Sequence, residues 1–260
     1  MKYCISGRQS KYILEKADEI KLSYKDIDIL PAYLRDYPTK TIVLDIPKEA
    51  EDIEWNKLKN LAKENNLILC LEDLFYAGLC NSLDIPFYWS YPISSWYELD
   101  GLIKLNPCYL FITNPLSFEL DVVKKKTNIP LRLCPNLAYD SYIPRENGIL
   151  GTWVRPEDIN IYEKYIDTFE FVINDLSKEA TLFRVYQQDG EWPGNLNVLI
   201  GNLSVDVDSR MLPKEFGEVR TTCGQRCLKN GRCHFCESAI NLSDSIREYY
   251  YDRFRYERNN

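Results

Sequence analysis

The chain has 260 residues, 45% of them hydrophobic and 27% charged, which is enough apolar material for one large core. No window holds eighteen uninterrupted apolar residues, which excludes a helical membrane span. The opening Met1-Lys2-Tyr3-Cys4-Ile5-Ser6 lacks the apolar core of a signal peptide, so a cytoplasmic location is expected. With 32 basic against 39 acidic residues, the net charge of −7 argues against nucleic-acid binding over the whole surface but allows a local basic groove.

The first 175 residues alternate short apolar runs with polar, helix-compatible stretches. Strands are predicted at Lys2–Ser6, Glu19–Tyr24, Thr41–Ile46, Leu67–Glu72, Phe87–Tyr91, Tyr109–Thr113, Leu131–Pro135 and Phe169–Ile173, with Ile149–Val154 as a ninth. Several are near-continuously apolar, as parallel strands covered on both faces require. Helices are predicted between them at Ile53–Asn65, Ser95–Leu105, Ser117–Lys126 and Pro156–Ile166; in the first, Ile53, Leu58, Leu61 and Ala62 fall near one face. This rhythm predicts a (β/α) barrel of the TIM type. An open doubly wound sheet is the alternative, but no G-x-G-x-x-G or Walker sequence follows the early strands.

After Asp175 the texture changes to a helix at Ser177–Gln188, a turn at Trp192-Pro193-Gly194-Asn195 and an irregular polar stretch, Asp206–Glu218. The expected organisation is a barrel over 1–175, a helix-turn extension over 176–215, a cysteine-rich segment over 216–240 and an aromatic C-terminal helix over 241–260.

Nine cysteines, an odd number, fit a reducing compartment better than a disulfide framework. Cys4, Cys70, Cys80, Cys108 and Cys134 are scattered singly, most of them in or beside apolar runs where a free thiol behaves as a small hydrophobe. Cys223, Cys227, Cys233 and Cys236 crowd together as C-x3-C-x5-C-x2-C, with Gly224 and Gly231 to permit tight turns. Arg226, Lys229 and Arg232 would favour the thiolate forms. Four thiolates at this spacing predict a metal centre, either a tetrahedral zinc ion or a 4Fe-4S cluster. The single histidine, His234, leaves little material for histidine catalysis; it could replace one cysteine as a ligand, though directly after a ligand it reads more readily as a supporting or surface neighbour.

Three stretches carry a family likeness: Tyr88-Trp89-Ser90-Tyr91-Pro92-Ile93-Ser94, Tyr109-Leu110-Phe111-Ile112-Thr113-Asn114-Pro115 and Leu131-Arg132-Leu133-Cys134-Pro135. They are followed by Val154-Arg155-Pro156-Glu157-Asp158-Ile159 and Thr168-Phe169-Glu170-Phe171. From Trp89 to Ile173, about a third of the chain, the sequence resembles the collagenase-like peptidase family, whose relatives include oxygen-independent hydroxylases of ubiquinone precursors and RNA. The resemblance implies a (β/α) barrel and, as in several members, an iron–sulfur cluster on four cysteines, which tilts the choice of metal towards iron. The family's cysteines are spread over the later strands and beyond, whereas here four are clustered in an appendage. Its acidic segment at the last strand is reduced to Glu170.

Barrel enzymes place their chemistry at the C-terminal ends of the strands. The polar residues there are Lys21, Asp45, Glu72, Asp73, Ser90, Asn114, Asn136, Arg155 and Glu170. The catalytic reading falls on Glu72 and Asp73, adjacent carboxylates able to split their pKa values, with Asn136 and with Arg155 as a planar fork for an anion. Glu72 and Asp73 also read as a helix-start acid pair, and Arg155 as a salt-bridge partner. Two functions follow. One is a barrel enzyme with a metal centre acting on RNA or another polar, anionic substrate. The other is a non-catalytic scaffold with a structural zinc knuckle that assembles with protein partners.

Overall fold

The computed structural model describes residues 1–113, 116–136, 153–171, 176–189, 194, 208–224 and 235. Eight strands lie among them: β1 (Lys2–Ser6), β2 (Glu19–Ser23), β3 (Thr41–Ile46), β4 (Leu67–Leu71), β5 (Phe87–Trp89), β6 (Leu110–Ile112), β7 (Leu131–Leu133) and β8 (Thr168–Glu170). Every pairing is parallel, in the order β5-β4-β3-β2-β1-β8-β7-β6. The remaining seam, between β5 and β6, is bridged rather than open. Cys108 N–H donates to the Phe87 carbonyl at 2.8 Å, and Ile93 forms a parallel bridge with Ile112. The result is a nearly closed (β/α)8 barrel of the TIM type.

Helices α1 (Lys11–Lys16), α2 (Leu30–Asp36), α3 (Trp55–Glu64), α4 (Phe75–Leu83), α5 (Trp96–Ile103), α6 (Leu120–Lys126), α7 (Ile159–Tyr162) and α8 (Leu176–Tyr186) follow the strands in turn, and α9 (Phe216–Thr222) lies beyond them. Local chemistry accounts for several of these boundaries. Ser95 and Glu98 form a reciprocal capping box at the start of α5. Asp84 ends α4 in the left-handed region, at φ 56°. Lys124, Lys125 and Lys126 close α6 where the helix dipole favours cations. The eighth helix, α8, packs on β1 and sends Leu182, Phe183 and Tyr186 into the core.

Strand alternation sorts the side chains into two environments. Ile5, Ile20, Leu22, Ile42, Leu44, Leu69, Leu110, Leu131 and Phe169 face the helices in one apolar cluster. Each contributes about 1.5–3 kcal/mol by leaving water. Cys4, Val43, Cys70, Tyr88, Tyr109, Phe111 and Cys134 form a second cluster on the other face, inside the barrel. This interior also holds Glu19, Arg132, Thr168 and Glu170, all buried. A barrel interior is usually filled by branched apolar residues; this one is built round charge.

Of the predicted ninth strand, residues 149–152 lie outside the described residues. Trp153 and Val154 are not in a strand; Val154 N–H donates to the Pro135 carbonyl at 2.8 Å. No described helix is long and apolar enough to cross a membrane.

Candidate active site at the barrel mouth

A cavity of about 540 Å³ opens where β1, β2, β3 and β8 end. Its charged lining is Arg8, Lys21, Asp26, Asp45, Glu170 and Glu179, four carboxylates against two cations. Gly7 allows the β1–α1 loop to lie close over β2, since a Cβ there would stand 2.3 Å from Leu22 Cδ2. Tyr33, also in the lining, donates its hydroxyl to the Gly7 carbonyl at 2.6 Å.

Lys21, Asp45 and Glu170 come from β2, β3 and β8 and meet at this wall. Lys21 Nζ donates to Glu170 Oε1 at 2.8 Å and lies 3.8 Å from Asp45 Oδ2. Burial opposes the Lys21 ammonium, but Cys70, Glu170 and Asp45 outweigh it, and the pKa stands well above the ordinary lysine value. Lys21 is therefore a fixed cation and not a free amine nucleophile. Asp45 differs from its neighbour Glu170. Burial raises the Asp45 pKa; Lys21 and the Cys70 thiol pull it down, Glu170 and Glu72 push it up, and the net direction is upward. Its Oδ1 is buried and has no hydrogen-bond partner among the described residues. A carboxyl with a raised pKa and an uncommitted oxygen can both take up and release a proton.

Beneath this wall the charge network continues through the barrel. Arg132 is fully buried on β7, between Phe111 of β6 and Thr168 of β8 in register. Its Nη1 donates to Glu170 Oε2 at 2.9 Å and its Nη2 to Glu19 Oε2. Its guanidinium lies 4.4 Å from the Tyr88 ring centre and 4.5 Å from that of Tyr109. Tyr88 donates its hydroxyl to Glu170 Oε2 at 2.9 Å, and Tyr109 donates to Glu19 Oε1 at 3.0 Å. Burial would raise the Glu170 pKa, but Lys21 and Arg132 bring it down to about 2. On the α8 side, Glu179 accepts the Ser6 N–H at 2.5 Å and Gln9 Nε2 at 3.1 Å, with its pKa raised by burial.

The four residues singled out as catalytic in the sequence stand elsewhere, and the cavity lining includes none of them. Glu72 accepts the Lys48 N–H at 3.1 Å and adds its charge to the field at Asp45. Asp73 Oδ1 accepts the Phe75 N–H at 2.9 Å, at the start of α4. Asn136, buried after β7, accepts from the Cys134 thiol at 3.0 Å. Arg155 donates to both oxygens of Asp158 and to the carbonyls of Ser209, Leu212, Pro213 and Lys214, so its fork is filled by the protein itself. Asn114 lies outside the described residues.

Glu19, Tyr88 and Arg132 carry the network without having been read as site residues. The available signal was a charge inside a strand otherwise buried on both faces: Arg132 between Leu131 and Leu133, and Glu19 and Lys21 two apart on β2.

Of the four clustered cysteines, Cys223 is described, half-buried at the C-cap of α9; Cys227, Cys233 and Cys236 lie outside the described residues. Gly224 follows it in the left-handed region, at φ 60°, and donates to the Phe118 carbonyl at 2.8 Å. Phe235, next to Cys236 in sequence, stacks on Phe216 with ring centres 6.0 Å apart. Among the described residues no group of three or more His, Cys, Asp or Glu stands together to hold a metal.

No family model and no curated protein matches this chain.

Proposed function

We propose that this protein is a barrel enzyme whose chemistry takes place at the C-terminal mouth, with Asp45 transferring a proton and Lys21 as the fixed cation beside it. The observation that carries this reading is Asp45 in the lining of the mouth cavity, its Oδ2 3.8 Å from the Lys21 ammonium that Glu170 holds at 2.8 Å. Proton transfer by a positioned carboxyl supplies roughly 10²–10⁴ in rate. The resemblance to collagenase-like peptidases and their hydroxylase relatives supports peptide or RNA substrates. The excess of carboxylates round the cavity favours a neutral or cationic group entering it, so an anionic substrate such as RNA would keep its phosphates outside, towards the rim. Cys223, Cys227, Cys233 and Cys236 are the residues to hold a 4Fe-4S cluster or a zinc ion. The cluster would supply electron transfer, and zinc would act as a structural staple.

Anaerobically prepared protein, incubated separately with gelatin-derived peptides and with RNA, is expected to give hydrolysed product, read by mass spectrometry as one water gained per bond cleaved. Asp45→Asn should lower the initial rate by about 10²-fold or more. No product from either class, or an Asp45→Asn variant as active as the parent, overturns the reading.

A second reading, a zinc-bearing scaffold for protein partners, is favoured by one observation. Phe75 is 85% exposed and Tyr97 88% exposed, both in first helical turns after β4 and β5. Single aromatic rings displayed in this way suit a protein interface. A colourless protein holding one zinc and inactive on both substrate classes would select it.

A further inference from the structure

We infer that Glu170 is a positioning residue that keeps the Lys21 ammonium from pairing fully with Asp45, and that Arg132 is what holds Glu170 in that role; the inference rests on the reading of the mouth as the reacting site. The two oxygens of Glu170 are assigned to different tasks. Oε2 takes Arg132 Nη1 and the Tyr88 hydroxyl, each at 2.9 Å, from inside the barrel. Oε1 is thereby left to face the mouth, where it takes Lys21 at 2.8 Å.

Arg132 has little freedom to release its partner. One end of its fork is bound to Glu170 and the other to Glu19, which flank Cys4 in register on β8 and β2, while Tyr88 and Tyr109 clasp its faces. With no exposure to solvent, its charge is balanced by these contacts and not by water. Glu170 is therefore a fixed anion at a fixed place, and Lys21 is drawn to it at 2.8 Å while Asp45 stays at 3.8 Å. The groups that act on Asp45 are Lys21 from β2, Cys70 from β4, Glu72 just beyond it and Glu170 from β8. Lys21 and Cys70 favour the charged form of Asp45; Glu170 and Glu72 disfavour it. Glu170 acts twice, by its own charge and by holding the cation that would otherwise turn to Asp45. The arrangement leaves Asp45 able to exchange a proton, where a full salt bridge would keep it ionised.

The test is a carboxyl ¹³C NMR titration of Asp45 in the full-length protein. In Glu170→Gln the Asp45 midpoint should fall by about one pH unit, as a neighbouring charge of this kind is lost and Lys21 is released. In Lys21→Met the midpoint should rise. In the double variant, Glu170→Gln should have a smaller effect than it has alone, because the cation it releases is gone. Glu170→Asp keeps a partner for Arg132 but is too short to span Arg132 and Lys21 together. It should also lower the midpoint, and it decides the matter if Glu170→Gln does not fold. A midpoint unchanged in folded Glu170→Asp or Glu170→Gln, or equal effects of Glu170→Gln with and without Lys21, overturns the inference. The titration does not use catalysis. A shifted midpoint in a protein inactive on every substrate would retire the enzyme reading alone, and an active enzyme with an unmoved midpoint would retire the positioning role alone.

Discussion

Arg155 donates to both carboxylate oxygens of Asp158, at 2.8 Å from Nε and 2.6 Å from Nη2, and both side chains are buried. The pair anchors the segment that leads into α9, because the same guanidinium takes four carbonyls between Ser209 and Lys214. Gly217 fits against it, since a Cβ there would stand 2.5 Å from Asp158 Cγ. Arg155→Ala should cost about 3–5 kcal/mol by leaving Asp158 buried and unpaired. Gly217→Ala should weaken the same contact by displacing Asp158. Urea denaturation measures both, and an Arg155→Ala loss below about 1 kcal/mol would remove the anchoring role.

The start of α5 depends on Ser95 and Glu98. The Ser95 hydroxyl accepts the Glu98 N–H at 3.2 Å, while Glu98 Oε2 accepts the Ser95 N–H at 3.0 Å. Ser95→Ala should destabilise the fold by about 1 kcal/mol. Ser95→Asp, which keeps a side-chain acceptor at the cap, should avoid most of that loss, and thermal melts of the two variants provide the comparison.

Acid stability should depend on Glu170. Its pKa is lowered from 4.5 to about 2, against its burial, chiefly by Lys21 and Arg132. The stability it contributes is fully present above pH 4.5 and is lost as pH falls from there towards 2. Asp45 and Glu179, whose pKa values are raised, act in the opposite sense as they take up protons. Glu170→Gln should therefore lower stability at neutral pH but flatten its decline through the acid window. Urea midpoints followed from neutral pH down to about pH 2 test this, and parallel curves for variant and parent would contradict it.

Metal should be held by the four clustered cysteines and should leave when they are changed. Cys227→Ser with Cys236→Ser is expected to release iron or zinc, measured by elemental analysis, while the barrel keeps its far-ultraviolet signal. Phe216→Ala should weaken retention, because Phe235 stacks on that ring beside Cys236. Parent protein with neither iron nor zinc, or full retention in the double variant, would defeat the assignment.

The sequence by itself determined the strands and the alternation of the barrel. Apolar runs such as Thr41–Ile46 and Leu67–Leu71, helix faces such as that of α3 and the Ser95–Glu98 box are local features, set within a few residues. It also placed Lys21, Asp45 and Glu170 at strand ends, but it could not rank them above Glu72, Asp73, Asn136 or Arg155. That ranking depended on closure. Within one strand, alternation decides only which residues share a face. Register and barrel closure decide which faces from β2, β3 and β8 look at one another across the mouth. Arg155 was removed from solvent by carbonyls more than fifty positions away in the chain, at Ser209 and beyond. Arg132 looked like one polar residue in a short apolar strand. Only the tertiary structure made it the centre of a charge network, because a buried guanidinium is tolerated where carboxylates from β2 and β8, the Tyr88 ring of β5 and the Tyr109 ring just before β6 converge on it.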